Sequence, residues 1–282
     1  MKLVKKISKV TALLRGYRKK RKSIGFVPTM GDFHEGHLSL LRKAKKDNDI
    51  VVASIFVNPA QFGPNEDYKK YPMDIKGDTQ KASKAGCDIL FCPDAGSMYP
   101  QGFNTYVEVE EASDIMCGKS RPGHFRGVAT ICTKLFNIIT PTAAYFGQKD
   151  YQQAFIIKKM VKDLNIDINI KVLPIVRERS GIALSSRNRY LTDPEIEDAK
   201  LLYKALKKAR GLITHGEDSV SEVRSAMKSI LNKSDVAIDY IDIVCPDTLS
   251  KERVVNSRVL VALAVRIGTT RLIDNILVNV KN

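Results

Sequence analysis

Apolar positions along the chain follow two periods in turn. Ser23–Thr29 ("SIGFVPT") is a short apolar run of strand type, and Asp49–Val57 ("DIVVASIFV") is a second, rich in β-branched residues. Between them, "HLSLLRKAKK" from His37 to Lys46 repeats its apolar residues at helical spacing. The exchange continues with a helix predicted over 75–85 and a strand at "CDILFCP". From Phe125 a helix follows on which Val128, Ile131, Leu135 and Ile138 or Ile139 share a face. A strand at Ala143–Gly147, a helix over 151–164 and a strand over 168–176 complete the series. Alternation of this kind predicts an α/β fold, a Rossmann-like, doubly wound parallel sheet with helices on both faces.

The pattern changes after Val176. "RERSGIALSSRNRYLTDPE" is polar and glycine-containing and reads as a junction. Helices are predicted over 194–212 and 219–231, followed by strands at "IDYIDIVC", "RVLVALAVR" and "TRLIDNILV". Helices followed by a set of strands predict a smaller C-terminal α+β domain. The expected domains are 1–175 and 176–282, with no internal repeat and no low-complexity tract.

Composition narrows the partners. The chain has 282 residues, 44% of them hydrophobic, enough for a sizeable core. It contains no run of about 18 apolar residues, so no transmembrane helix is expected. The basic N-terminus lacks the apolar centre of a signal peptide, and a cytoplasmic protein with no membrane partner is expected. Five cysteines, an odd number with no C-x-x-C pair, argue against a disulfide framework or a zinc knuckle.

A formal net charge of +15 invites a nucleic-acid reading. The lysines are spread along the chain, however, and the densest cluster, Arg18–Lys22, ends a predicted solvated helix before the first predicted strand. There is no tryptophan, and the tyrosines and phenylalanines sit mostly in apolar runs, away from the lysines. An RNA-stacking platform is therefore not favoured, and no nucleic-acid partner is expected. A basic field also attracts small anionic substrates.

Candidate chemistry begins where the predicted strand 23–29 hands over to a helix, at "VPTMGDFHEGHLSLL". His34 and His37 could form a metal pair, but no third ligand stands at a matching spacing. They could be satisfied by backbone in a turn. They could also bind phosphate: Gly31 and Gly36 allow a sharp turn and close approach, and the following helix aims its free N–H groups and positive end at the turn. Imidazole donors there can hold charge that develops in phosphoryl chemistry. The third reading gains from position, because open α/β sheets bind ligands at the carboxyl ends of their strands.

H-x-G-H at this place resembles the signature of the nucleotidyltransferase superfamily. Further strings follow in order: "FVNPAQFGPNEDYKKYP", "RPGHFRGVATICTKLFNIITP", "YFGQKDYQQ", "SSRNRYL" and "TRLIDNI". Together they resemble the pantothenate synthetase (pantoate–β-alanine ligase) family, from about Ile24 to the last strand. The resemblance implies ATP-dependent activation of (R)-pantoate to a pantoyl adenylate with release of pyrophosphate. Attack by β-alanine then gives pantothenate and AMP. It also implies Mg2+ accompanying ATP, a homodimer, and a small C-terminal domain that closes over the site.

The resemblance places Met30, Gly31, His34 and His37 in the nucleotide-binding turn, with His37 as a proton donor. An imidazole at a helix N-terminus tends to be neutral, which favours charge stabilisation by hydrogen bonding at least as much. Gln61 and Gln153 are implied to bind pantoate, with Asn58 beside them as a substrate contact or an ordinary Asn-Pro turn. Gly147, Gln148, Lys149 and Asp150 are implied ATP contacts, Lys149 on a phosphate and Asp150 on a ribose hydroxyl or as a local cap. Val176 matches a backbone contact to adenine. Leu184, Ser185, Ser186 and Arg187 fall on a mobile phosphate clamp, for which hydroxyls and a guanidinium are chemically apt. His34, His37, Lys149 and Arg187 are the expected catalytic groups.

The chain departs from the commonest family strings at Asp32-Phe33, Thr142, Met73 and Ser180. No magnesium ligand is singled out among Asp67, Asp74 and Asp78. Two other readings stand beside this one: an H-x-G-H adenylyltransferase that leaves AMP on its product, and a basic RNA-binding module. Paired glutamines and a C-terminal domain argue against the first.

Overall fold

A parallel sheet needs strands buried on both faces, and the apolar runs supply them. The computed structural model describes residues 1–64, 66–232, 234–255 and 257–280. Its elements run β1 (Lys2–Val4), α1 (Ile7–Lys19), β2 (Ile24–Thr29), α2 (Glu35–Asp47), β3 (Ile50–Ile55), α3 (Ile75–Lys84), β4 (Ile89–Phe91), α4 (Ala95–Met98), α5 (Cys117–Ser120) and α6 (His124–Ile139). They continue with β5 (Ala143–Gly147), α7 (Tyr151–Asp163), β6 (Asn169–Leu173), α8 (Asp193–Thr214), α9 (Val220–Leu231), β7 (Val236–Val244), β8 (Val259–Ile267) and β9 (Thr270–Val278).

The first six strands pair in the order β1-β4-β3-β2-β5-β6, all parallel. The order turns at β2: β3 and β4 extend the sheet to one side, β5 and β6 to the other. Val27, Val51, Ala53, Leu90 and Tyr145 from these strands pack with Leu41 and Ala44 of α2 in one buried cluster. Phe26 of β2 meets Phe136 of α6 edge-on at 6.4 Å between centroids, consistent with helices against both faces.

β1 was not expected. It is an edge strand of three residues, too short to show a period, and it pairs with Ile89–Phe91. The basic run after it does end a helix, α1, whose buried face is Val10 and Leu14.

By contacts the chain divides into two compact units, Met1–Gln148 with Gln153–Pro174, and Lys149–Gln152 with Ile175–Asn282. The second holds α8, α9 and an antiparallel sheet β7-β8-β9. β8 is its central strand, which is why "VLVALAV" is apolar at every position: Val259 to Val265 are all buried. Leu202, Leu206, Val223, Met227 and Leu231 of the two helices close the core over it. α8 begins where the sequence T-D-P-E provides a capping box, with Thr192 N–H donating to Glu195 Oε2 at 2.8 Å and a proline in the first turn.

At the end of α2 a carboxylate stands where the helix dipole disfavours it. Asp47 is held by Lys43 (2.7 Å), Lys171 (2.9 Å) and the buried Tyr145 hydroxyl (2.9 Å), linking α2, β5 and β6. Hydrogen bonds from Lys43 and Lys171 are the main reasons its carboxyl lies well below the ordinary carboxylate range. A depressed native pKa adds stability above the unfolded pKa, and this is lost as pH falls through the native one. Asp47→Asn should therefore be less stable than the parent at neutral pH, with the gap in urea midpoint narrowing as pH is lowered below the unfolded carboxylate range. A gap independent of pH would assign the loss to packing.

Candidate active site

Because β3, β2 and β5 are neighbours, their carboxyl ends deliver three segments side by side: Met30–His37, Phe56–Gln61 and Gly147–Gln148. This is the point at which strand order reverses, where open α/β sheets bind their ligands.

The turn after β2 is set by one buried carboxylate. Asp78 of α3 is fully buried and accepts the N–H groups of Asp32 and Phe33, each at 2.7 Å. Burial pushes its carboxyl up from the ordinary value, and the two amides oppose that shift. Lys81 Nζ donates to the Phe33 carbonyl at 2.8 Å. Gly31 has φ +96° with Ile55 only 3.0 Å from where a Cβ would stand, and Asp32 has φ 51°. Aspartate tolerates that left-handed conformation, which suits the departure at position 32. Phe33 is buried in the core with Leu38 packed against the same cluster, the arrangement of a hydrophobic staple.

His34 is the N-cap of α2, its Nδ1 accepting from Gly36 N–H at 3.1 Å. His37 Nδ1 faces His34 N–H at 3.5 Å, and the two rings lie 4.1 Å apart between centroids. With its Nδ1 accepting a backbone N–H, His34 has Nε2 left as its donor nitrogen. The cap explains the glycine between the histidines: a Cβ at Gly36 would lie 2.8 Å from His34 Cε1.

Gln61 lies on a one-turn 3-10 helix, Pro59–Gln61, capped by Asn58 Oδ1 accepting from Ala60 N–H. The turn rests directly on α6, where a Cβ at Gly127 would be 2.2 Å from the Ala60 carbonyl oxygen. Asn58 Nδ2 donates to Gly127 O (3.1 Å) and to Gln61 Oε1 (3.0 Å), and Tyr99 hydroxyl donates to Asn58 Oδ1 (2.7 Å). Gln61 Nε2 lies 3.2 Å from Met30 Sδ. Asn58, read from sequence as a substrate contact or an ordinary Asn-Pro turn, is 1% exposed and its amide is fully used within the turn. Its place is to position Gln61.

Two residues unassigned from sequence complete this support. His124 Nδ1 donates to Gln61 O at 2.8 Å, a tautomer fixed because Arg121, a pure donor, occupies Nε2 at 3.0 Å. Arg121 also pairs with Glu66 at 2.7 and 2.5 Å, and despite burial this holds the Glu66 carboxyl below its ordinary value. Gly147 ends β5 with open space around it, and Gln153 is half-buried on α7.

The second unit gathers the remaining candidates. Val176 O accepts from Leu184 N–H at 3.0 Å, and Arg177 bridges Ala183, so 176–184 is a small hairpin turned at Gly181. It leads into Ser185, whose Oγ accepts from Arg187 N–H at 3.3 Å, and into buried Ser186. Arg177 forks onto buried Asp274 at 2.6 and 2.8 Å, and the neighbouring Asn275 Nδ2 donates to Lys149 O at 2.9 Å. Lys149 and Ser185 line one small cavity together with Asn188 and Asp274. Asp150 is exposed, with an oxygen 4.0 Å from Lys149 Nζ. Thus "TRLIDNI" acts as a support for Lys149, a role that no local spacing reveals.

Of the departures, Thr142 Oγ1 accepts from Ile24 N–H, Ser180 Oγ donates to Glu178, and Met73 is exposed. Asp74 caps α3 through Gly77 N–H. No helix among the described residues is long and apolar enough to cross a membrane.

A parallel sheet that reverses at β2, with an H-x-G-H turn capping the helix beyond that strand, defines a protein of the nucleotidyltransferase class. The profile of the pantoate–β-alanine ligase family matches residues 2–277, and the chain belongs to that family. A pantothenate synthetase of Caldicellulosiruptor saccharolyticus is 55% identical over 281 residues, 99% of this chain and 100% of that one. The crystal structure of pantothenate synthetase from Thermus thermophilus superposes with a TM-score of 0.93 at 42% identity, covering 98% of this chain and 99% of that chain. The pantoate–β-alanine ligase from Francisella tularensis, solved with beta-gamma ATP and beta-alanine, gives a TM-score of 0.81 at 39% identity, covering 98% of this chain and 97% of that one.

The His34 cap yields a prediction. Gly36→Ala should leave the melting temperature within a few degrees of the parent, since alanine is a better helix former. It should lower turnover about as far as His34→Ala does, because the new methyl displaces the ring. Full activity in Gly36→Ala would separate the cap geometry from the chemistry.

Proposed function

We infer that the protein condenses pantoate with β-alanine using ATP, giving pantothenate, AMP and pyrophosphate. The observation that carries the reading is the H-x-G-H turn, built at the switch point of the sheet with His34 capping α2 and the His37 ring against it. A pantoate carboxylate oxygen attacks the α-phosphorus of ATP, and the bond to pyrophosphate breaks. The amine of β-alanine then attacks the adenylate carbonyl, AMP departs, and the amine gives up a proton. His34 and His37 donate from Nε2 to phosphate oxygens as charge builds on them, the work of a preorganised donor set.

Met30, Gly31, Gly147 and Gln148 line the nucleotide in this reading, and Gln61 and Gln153 hold pantoate with Asn58 behind Gln61. Lys149 and Arg187, with Ser185 and Ser186, take the phosphates. Asp150 takes the ribose, and the Val176 and Leu184 backbone takes adenine. The domains are read as 1–175 and 176–282, the smaller closing over the nucleotide during turnover. The family likeness supports these roles, and also a cytoplasmic homodimer.

Magnesium enters with ATP. Among the described residues no three His, Cys, Asp or Glu side chains form a cage.

ATP, pantoate and β-alanine together should yield AMP and pantothenate, whereas an adenylyltransferase would leave AMP on its product. Without β-alanine, labelled pyrophosphate should exchange into ATP only when pantoate is present, and Lys149→Ala should largely abolish that exchange. Exchange without pantoate, or a pantoyl group bound covalently to the chain, would overturn the mechanism. His34→Ala and His37→Ala should each lower the rate by roughly 10²–10³, the scale for one preorganised donor. Near-normal turnover in both would return them to a structural role.

A further inference from the structure

Tyr99 follows α4 and has no part in the roles given above. Its ring packs edge-on against Phe103 at 5.0 Å and lies 6.2 Å from Phe56, while its hydroxyl reaches Asn58 Oδ1 at 2.7 Å. The orientation of the Asn58 amide follows from two backbone groups of unambiguous character. Ala60 N–H can only donate, so the atom facing it is oxygen; Gly127 C=O can only accept, so the atom facing it is nitrogen. Tyr99 therefore donates its hydroxyl proton, and burial keeps that phenol protonated. Asn58 Nδ2 in turn demands an acceptor from its other neighbour, which fixes Gln61 with Oε1 inward and its NH2 group on the opposite side, toward Met30.

We propose that Tyr99 is a positioning residue that, through Asn58, locks the Gln61 amide with its NH2 group toward the acyl substrate. Position 61 then binds only an acceptor oxygen of that substrate, a carboxylate or hydroxyl oxygen. The inference rests on the reading that Gln61 binds pantoate. A glutamine free to flip would offer donor and acceptor equally and would lose part of its binding energy to selecting one. The locked amide is preorganised, and it offers its donors without a formal charge.

The test is steady-state kinetics on the full chain. Gln61→Ala is the control for the underlying reading: it should raise the pantoate KM while leaving the ATP KM unchanged. If it does not, that reading and this inference fall together. Tyr99→Phe keeps the ring and removes the proton donor. Its pantoate KM should rise about 3- to 10-fold, the scale of one hydrogen bond, with the ATP KM within about twofold. Added to Gln61→Ala, the same change should have almost no further effect, because the relay ends at the amide already removed.

Asn58→Asp places acceptors toward Gln61 and should raise the pantoate KM more than Tyr99→Phe does. If that variant does not fold, the Tyr99→Phe comparison alone decides. A pantoate KM unchanged in Tyr99→Phe but raised in Gln61→Ala would overturn the proposal. So would an equal loss from Tyr99→Phe with and without Gln61, or a parallel rise in both KM values with a large drop in melting temperature.

Discussion

The approach of β2 to α2 depends on the carboxylate of Asp78. It lies with no exposure behind the 30–34 turn and engages both oxygens with backbone amides. A buried charge is destabilising unless its hydrogen bonds are made, and a strained turn persists only where its surroundings over-determine it. Here each requirement meets the other. The turn needs Gly31 and Asp32 at positive φ, and that conformation aims a pair of N–H groups at one carboxylate. Once that geometry is fixed, α2 can begin only at His34, and the imidazole must fold back over Gly36. The place of the His34 ring thus follows from the cap, and the cap from Asp78.

The same mutual dependence governs the neighbouring segment. Gln61 is held through its main chain by His124 and through its side chain by Asn58, while Gly127 lets the turn rest on the helix backbone. These contacts come from Asn58 at the start of the turn and from one face of α6, and they converge on Ala60 and Gln61. Arg121 and Glu66 neutralise each other beside it, so this support adds no net charge next to Gln61.

Much of the architecture was legible in the sequence because it is written in local periods. Alternating apolar runs predicted the parallel sheet, and the run "RVLVALAVR" was legible as a strand, though its central place in β7-β8-β9 was not. β1 was not legible, since three residues carry no period. The H-x-G-H and Gln61 segments stood out through their residue types and their place after strands. Their supports did not. Tyr99 and Asn58 are 41 residues apart, His124 and Gln61 63, and Asn275 and Lys149 126. Pairings over such separations leave no local signature. "RPGHFRG" and "TRLIDNI" stood out only as likeness to a family, and the contacts of Arg121, His124 and Asn275 give that likeness a physical content.

The placement of charge gives a reason for supports built this way. A carboxylate attacks phosphorus only while its lone pair is available, and a cation paired with it would lower its nucleophilicity. In the proposed reading Gln61 offers a donor without formal charge, and it belongs to the first compact unit. Lys149 and Arg187, the cations assigned to phosphate, both belong to the second, although Lys149 is separated from β5 by a single residue. Asn275 holds the Lys149 carbonyl, so this residue is tied to the sheet of the second unit and not to the strand that precedes it. Chain position alone would assign Lys149 to the first unit, and the hydrogen bond to β9 assigns it to the second. In the proposed reading, the uncharged amide of Gln61 and the cations taken to hold phosphate thus belong to different compact units.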